Sequence, residues 1–305
     1  IKAYIHMHIG YFYDNKDIKK AIIAYQEAIK LSTESIKKHP DIDTYNGFLA
    51  FNLNNIGFLH QQQNDYLNAE KEYEKSINIY ETLTTNYPDN DILNFNLAII
   101  FGCLGMVYQK QENKFQEAVE AYKKTLDIFK KLIEKYPNND EYKSLLASTL
   151  FKLGFLYHLN DKEKLPKAEQ TFKEAIDIYK KLIEKDSMNN EYKYKLVSLL
   201  NHIGLLYKSQ NKLSEAEQVF KRAIDIDNIF LKKYNKDDSY KHYMALALRS
   251  MGDFCNPTKE KKTIKQSYYI KALDILKPLK EKGTGEYDVI IKDIEKSLQE
   301  LDNIN

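Results

Sequence analysis

The sequence predicts an all-α solenoid built from six helix–turn–helix units and finished by a C-terminal helix. Three observations carry this expectation. Gly10, Gly57, Gly105, Gly154, Gly204 and Gly252 stand 47, 48, 49, 50 and 48 residues apart, and they are six of the ten glycines in a chain of 305 residues. Between them apolar residues recur at intervals of three and four and do not alternate with a period of two, which marks amphipathic helices rather than strands. Polar, Asn-bearing turns and X-Pro pairs punctuate these stretches at matching places.

Helix A of each unit runs into its glycine: IHMHIG at Gly10, LAFNLNNIG at Gly57, LAIIFGCLG at Gly105, LASTLFKLG at Gly154, LVSLLNHIG at Gly204 and MALALRSMG at Gly252. Three residues later stand Tyr13, His60, Tyr108, Tyr157, Tyr207 and Cys255. After a polar turn, helix B carries Ala21, Ala69, Ala118, Ala168 or Ala216, with Lys265 in the sixth unit. Four residues on comes an aromatic (Tyr25, Tyr73, Tyr122, Phe172, Phe220, Tyr269), and three further a small residue (Ala28, Ser76, Thr125, Ala175, Ala223, Ala272). A glycine inside a helix costs about 1 kcal/mol. Its recurrence therefore requires a gain, and close approach of the helix B aromatic supplies one.

Helix B is clearest in the third unit, where Ala118, Tyr122, Thr125, Leu126, Phe129, Leu132, Ile133 and Tyr136 form one long stripe. His39-Pro40, Tyr87-Pro88 and Tyr136-Pro137 end this helix, because proline drives the residue before it out of the helical region. In the last unit residues 271–278 complete helix B, Gly283-Thr-Gly285 breaks it, and residues 286–301 read as an amphipathic capping helix through Val289, Ile290, Ile294, Leu298 and Leu301. The expected organisation is an array over residues 1–285, with units 1–40, 41–88, 89–137, 138–187, 188–236 and 237–282, then a cap over 286–305. Gly10 has fewer residues before it than the other repeat glycines, so the first helix A reads as lacking its opening turns and the chain as a fragment or processed form.

This pattern of Leu-Gly, Tyr, Ala, aromatic, small residue and Pro resembles the tetratricopeptide repeat, a helix–turn–helix unit of about 34 residues. The resemblance covers nearly the whole chain and implies a right-handed superhelix. Leu53, Phe101, Leu150, Leu200 and Leu248 take the place of the family's early Trp. The unit is also longer. Gly57 to Pro88 is 31 residues and Gly105 to Pro137 is 32, against about 24 in the family. Proline to the next glycine is 17, against about 10. Each helix is therefore expected to be about two turns longer than usual.

Composition bounds the function. Hydrophobic residues at 43% and charged residues at 30% suit a folded chain. Lys plus Arg, 46, nearly balance Asp plus Glu, 44; no field for polyanions results, and nucleic acid is not an expected partner. Cys103 and Cys255 make no disulfide framework, which points to a reducing, cytoplasmic setting. The longest uninterrupted nonpolar stretch, residues 97–108, is 12 residues, short of the roughly 20 a membrane span needs, so no membrane partner is expected. There is no His-Glu-x-x-His, Cys-x-x-Cys or phosphate-binding glycine loop. His6 and His8 point to different sides of a helix, and His60 occupies the repeat's Tyr slot. Asp177, Glu184, Asp225 and Asp227 sit with lysines as solvated pairs, and the basic run at residues 259–265 falls in a turn. No enzyme activity, metal or cofactor is expected.

What the resemblance implies instead is a binding groove lined by helix A, at the positions three before, two before and one after each repeat glycine. These are Met7, His8 and Tyr11; Asn54, Asn55 and Phe58; Gly102, Cys103 and Met106; Phe151, Lys152 and Phe155; Asn201, His202 and Leu205; and Arg249, Ser250 and Asp253. Asn side chains pair with both groups of a peptide backbone, Phe58, Met106 and Phe155 offer apolar pockets, and Lys152, His202, Lys208 and Arg249 attract a carboxylate. Leu53-Asn54-Asn55 is similar to the Leu-Asn-Asn signature of kinesin light chains. The expected function is a non-catalytic scaffold that binds an extended peptide or helix of a protein partner. The alternative is the sensor or regulatory portion of a larger signalling enzyme whose catalytic domain lies upstream. An uncapped first unit also offers a surface for a homodimer.

Overall fold

A computed structural model describes residues 2–13, 17–160, 162–233, 238–254, 262–281 and 286–302, without the side chains of residues 162, 227–233, 238–240, 242, 243 and 286. Cys255, residues 259–261 of the basic run, Gly283 and Gly285 lie outside the described residues, as do the side chains of Asp227 and His242. The chain divides into two compact units, residues 1–156 and 157–305.

The first unit holds α1 (Lys2–Tyr13), α2 (Ile18–Lys38), α3 (Asp43–Gln62), α4 (Tyr66–Asn86), α5 (Asp91–Gln109), α6 (Phe115–Lys135) and most of α7 (Asp140–Asn160). From α1 to α6 each helix packs on the next, and α3 also touches α1 and α5, so helices A and B stack alternately as a solenoid requires. The two-turn surplus expected of each helix is present: α3 has 20 residues, and α4 and α6 have 21.

Local chemistry sets the ends of these helices. Asp17, Asp65 and Asn90 accept backbone N–H bonds from the first turns of α2, α4 and α5, meeting donors that have no partner within the helix. His39, Tyr87 and Tyr136, each before a proline, are the C-caps of α2, α4 and α6, with φ of −142°, −130° and −127°. Asn64 and Asn113 occupy the A-to-B turns at φ of 59° and 66°, a conformation asparagine tolerates better than most residues.

The core follows the repeat register. Ala69, Tyr73 and Ser76 are fully buried, as are Ala118 and Tyr122, with Thr125 at 1% exposure. Where the small slot is polar its hydroxyl crosses to helix A: Ser76 Oγ donates to the Ala50 carbonyl at 2.7 Å and Thr125 Oγ1 to that of Ala98 at 3.2 Å. The hydroxyl of Tyr73 donates to Gln61 Oε1 at 2.8 Å and that of Tyr122 to Gln109 Oε1 at 3.0 Å. These bonds satisfy the polar end of rings whose burial contributes about 2 kcal/mol each.

The sequence shows only 12 uninterrupted nonpolar residues in this region, yet the helix that carries them, α5, is 19 residues long and apolar enough to cross a membrane by length and composition. It is a packed core helix. Leu97, Ala98, Ile100, Phe101, Leu104 and Val107 are buried, and the helix packs against both α4 and α6.

The second unit holds a single 3-10 turn at Lys162–Lys164, then α8 (Leu165–Lys185), α9 (Asn190–Ser209), α10 (Leu213–Lys233), α11 (Asp238–Phe254), α12 (Lys262–Lys280) and α13 (Glu286–Asp302). Successive helices again pack on one another, and α9 also touches α11. Asn211 repeats the left-handed turn at φ 58°. Two details differ from expectation. Helix α12 continues past Pro278 to Lys280, because Leu279 extends the buried stripe of Leu273 and Leu276. On α13 the buried face is Ile291, Ile294 and Leu301, packed with Met244, Leu248 and Tyr269. Val289 is 66% exposed, since two residues of helix rotate it well away from Ile291.

Candidate functional site

A cavity of about 660 Å³ opens in the first unit where the N-terminal turns of α3 and α5 meet the end of α4. Phe48 and Phe51 of α3, Tyr80 and Leu83 of α4, and Leu93 of α5 form its walls, and Met7 of α1 reaches its edge. Gly47 forms open floor: a Cβ placed there meets nothing within 4 Å. Asp41, Asp43 and Tyr87 also line it, and among the described residues no Lys, Arg or His does. The Tyr87 hydroxyl bonds to the Asp43 carboxylate, which holds the phenol above its ordinary pKa. Asn96 Nδ2 donates to the Tyr80 hydroxyl at 3.4 Å, and burial pushes that phenol up to about 12.

Several sequence-predicted positions share helix faces with cavity residues. Gly47, Phe51, Asn54 and Phe58 follow one another at helical spacing along α3, as do Asn96, Cys103 and Met106 along α5. Asn54 and Asn55 are half-buried, and Asn54 Oδ1 and Asn55 Nδ2 are screened from solvent without a hydrogen-bond partner. Phe58 is 43% exposed and Met106 half-buried. His8 and Tyr11 are exposed, and the ring of His8 lies edge-on to Tyr4 at 4.3 Å. Gly102 faces Thr125, whose atoms a Cβ would meet at an ordinary 3.7 Å. The Cys103 thiol is hydrogen-bonded to the Tyr73 hydroxyl within the field of Lys152, and burial pushes its pKa up. Phe151, Lys152 and Phe155 are half-buried, with the two rings 6.4 Å apart.

In the second unit, Asn201 is 5% exposed and Leu205 39%. His202 is half-buried, its ring stacked with Phe172 at 6.4 Å. Burial, and then the charge of His158, lower the His202 pKa to about 4, so the ring is neutral at physiological pH and does not attract a carboxylate as a cation. The remaining cations meet carboxylates of the chain itself. Arg249 donates to Asp293 at 3.1 Å, and its Nε lies 4.0 Å from Asp253. Lys208 is 4.0 Å from the same Asp253, which also accepts the Tyr269 hydroxyl at 2.7 Å. Ser250 is half-buried beside them in sequence.

Of the cavity residues, Met7 is a sequence-predicted groove position, whereas Gly47, Phe48, Leu93 and Asn96 escape offsets carried over from a shorter repeat because they lie in the early turns of long helices A. One signal was present: Gly47 is a glycine outside the repeat spacing, followed by Phe48 and Phe51. Among the described residues no group of three or more His, Cys, Asp or Glu is placed to hold a metal ion.

Models described as tetratricopeptide repeat match residues 53–84 and 197–230. No curated protein matches the chain significantly. Among solved structures, BtubC (BKLC) from P. vanneervenii is similar at TM-score 0.58 and 17% identity, over 87% of this chain and 93% of that one. The apo form of RapI is similar at TM-score 0.55 and 16% identity, over 98% and 100%. The S. pombe nuclear import adaptor Nro1 is similar at TM-score 0.55 and 13% identity, over 95% and 97%. At these identities the likeness is one of fold.

Proposed function

We propose, from the premise that this chain is a tetratricopeptide-repeat protein, that it is a non-catalytic scaffold holding an extended peptide or a helix of a protein partner along its helix A faces. The observation that carries this reading is the Asn54–Asn55 pair. Both side chains are half-buried on helix A, at positions that line the groove in the repeat family this chain resembles. A ligand backbone, with a donor and an acceptor at every residue, pairs with the donor and acceptor of such an amide without regard to its own side chains. Phe58 and Met106, one turn on, supply apolar contact, and Asn201 occupies the corresponding place on α9. The ring of His202 beside it acts as a neutral, stacked surface.

The test is display selection of peptides on the intact chain, followed by affinity measurement on an Asn54→Ala, Lys152→Glu, Asn201→Ala variant whose helical circular dichroism matches the parent. Selected peptides are expected to lose at least tenfold in affinity on the variant. Peptides that bind parent and variant equally would place binding on another surface and sink this assignment.

A further inference from the structure

We propose that the cavity between α3, α4 and α5 receives a basic residue of the partner peptide together with an apolar neighbour, a specificity that rests on the peptide-binding reading above. The size fits: about 660 Å³ is within the range of roughly 300–1,000 Å³ typical of ligand sites. The chemistry is one-sided. Phe48, Phe51, Tyr80 and Tyr87 give the cavity aromatic surface, Asp41 and Asp43 give it negative charge, and among the described residues no cationic side chain lines it. Aromatic rings beside carboxylates favour a cation on an apolar stem, the make-up of a Lys or Arg side chain, through ring quadrupole and Coulomb attraction together. An acidic segment meets Asp41 and Asp43 as like charges and is rejected.

The neighbouring geometry selects a peptide over a free small molecule. Gly47 and Phe51 of the cavity share their helix face with Asn54 and the exposed Phe58, so a chain whose side chain fills the cavity runs on past these two residues. A small cation fills the cavity but makes no contact with Asn54 and Phe58 along that face. Gly47 keeps the cavity open, since nothing lies within 4 Å of the place of its Cβ; a larger side chain there fills the cavity while leaving the surrounding packing untouched.

The experiment is a positional-scanning array of acetylated, amidated hexapeptides probed with the intact chain, with Gly47→Leu, and with the Asp41→Asn, Asp43→Asn double variant, each checked for unchanged helical circular dichroism. Lys or Arg next to Leu, Ile, Met or Phe should be enriched. Affinity for the best such peptide should fall at least tenfold in Gly47→Leu, and its preference over the Gln-for-Lys/Arg analogue at least fivefold in the double variant. Enrichment of acidic or uncharged peptides that Gly47→Leu still binds and Asn54→Ala does not would overturn the cavity assignment and leave the groove standing. An array with no enrichment overturns both. If benzyltrimethylammonium alone binds as tightly as the best peptide and is lost in Gly47→Leu, the cavity serves a free organic cation and the peptide assignment falls.

Discussion

The ring of Tyr122 lies where the side chain of Gly105 would begin: a Cβ built on Gly105 stands 2.8 Å from Tyr122 Cε1. The same approach recurs at 2.8 Å between Gly57 and Tyr73, and at 2.6 Å between Gly204 and Phe220. Tyr122 is fully buried and its hydroxyl is held by Gln109, so the ring has no free direction in which to give way. Gly105→Ala is therefore expected to destabilise the fold by about 1–3 kcal/mol, although alanine is the better helix former by about 1 kcal/mol. Gly47→Ala, where the Cβ meets nothing, should instead stabilise by about 0.5–1 kcal/mol. Urea denaturation of both variants checks this; equal shifts of the midpoint for the two glycines would refute the close-approach account.

Asn113 turns the chain from α5 to α6 at φ 66°. Alanine lacks the short polar side chain that lets asparagine tolerate the left-handed region through local hydrogen bonding, at a cost of about 1 kcal/mol, whereas glycine adopts that region freely. The unfolding midpoint should fall for Asn113→Ala and stay near the parent for Asn113→Gly. A midpoint for Asn113→Ala equal to that of glycine would mean the turn does not depend on this conformation.

These two features show what the sequence makes legible. Glycine register, aromatic and small slots, and the X-Pro helix ends depend on residues close in the chain or repeated at a fixed interval, so one copy explains the rest. Gly47, Phe48, Leu93 and Asn96 of the cavity lie on turns for which the shorter repeat offers no template. The Arg249–Asp293 pair joins residues of different helices, and no local pattern announces it. Val289 is exposed and Ile291 buried, yet Val, Ile and Ile adjoin at positions 289–291, and a run of apolar residues does not show which one the neighbouring helices meet. The neutrality of His202 likewise comes from burial and from His158, neither of which its immediate sequence shows.

His202 gives the fold a dependence on acid. Its pKa is about 4 in the folded chain and about 6.5 when unfolded, so between these values the unfolded chain binds more protons. Stability from this group is fully present above about pH 6.5 and is lost as pH falls toward 4, by an amount on the order of 2 kcal/mol. His202→Gln removes the titration. The difference in denaturation free energy between parent and variant should shrink or reverse between pH 7.5 and pH 4.5; a constant difference would show that the imidazole is not held neutral.

Arg249 is one of the cations the sequence predicts to meet a ligand carboxylate, and it donates to Asp293 at 3.1 Å. The Asp293 side chain is 54% exposed, and exposed pairs of this kind contribute about 0–1 kcal/mol. Asp293→Ala should therefore leave the unfolding midpoint almost unchanged while releasing the guanidinium on one side. Asp253 remains 4.0 Å from Nε, so the release is partial. Affinity for selected peptides with a free C-terminal carboxylate should rise about fivefold, close to 1 kcal/mol, with little change for the same peptides amidated. Fluorescence anisotropy on the paired peptides reads the difference directly. Equal affinity for both forms in parent and variant would remove Arg249 from the binding surface and confine its role to holding α11 against α13.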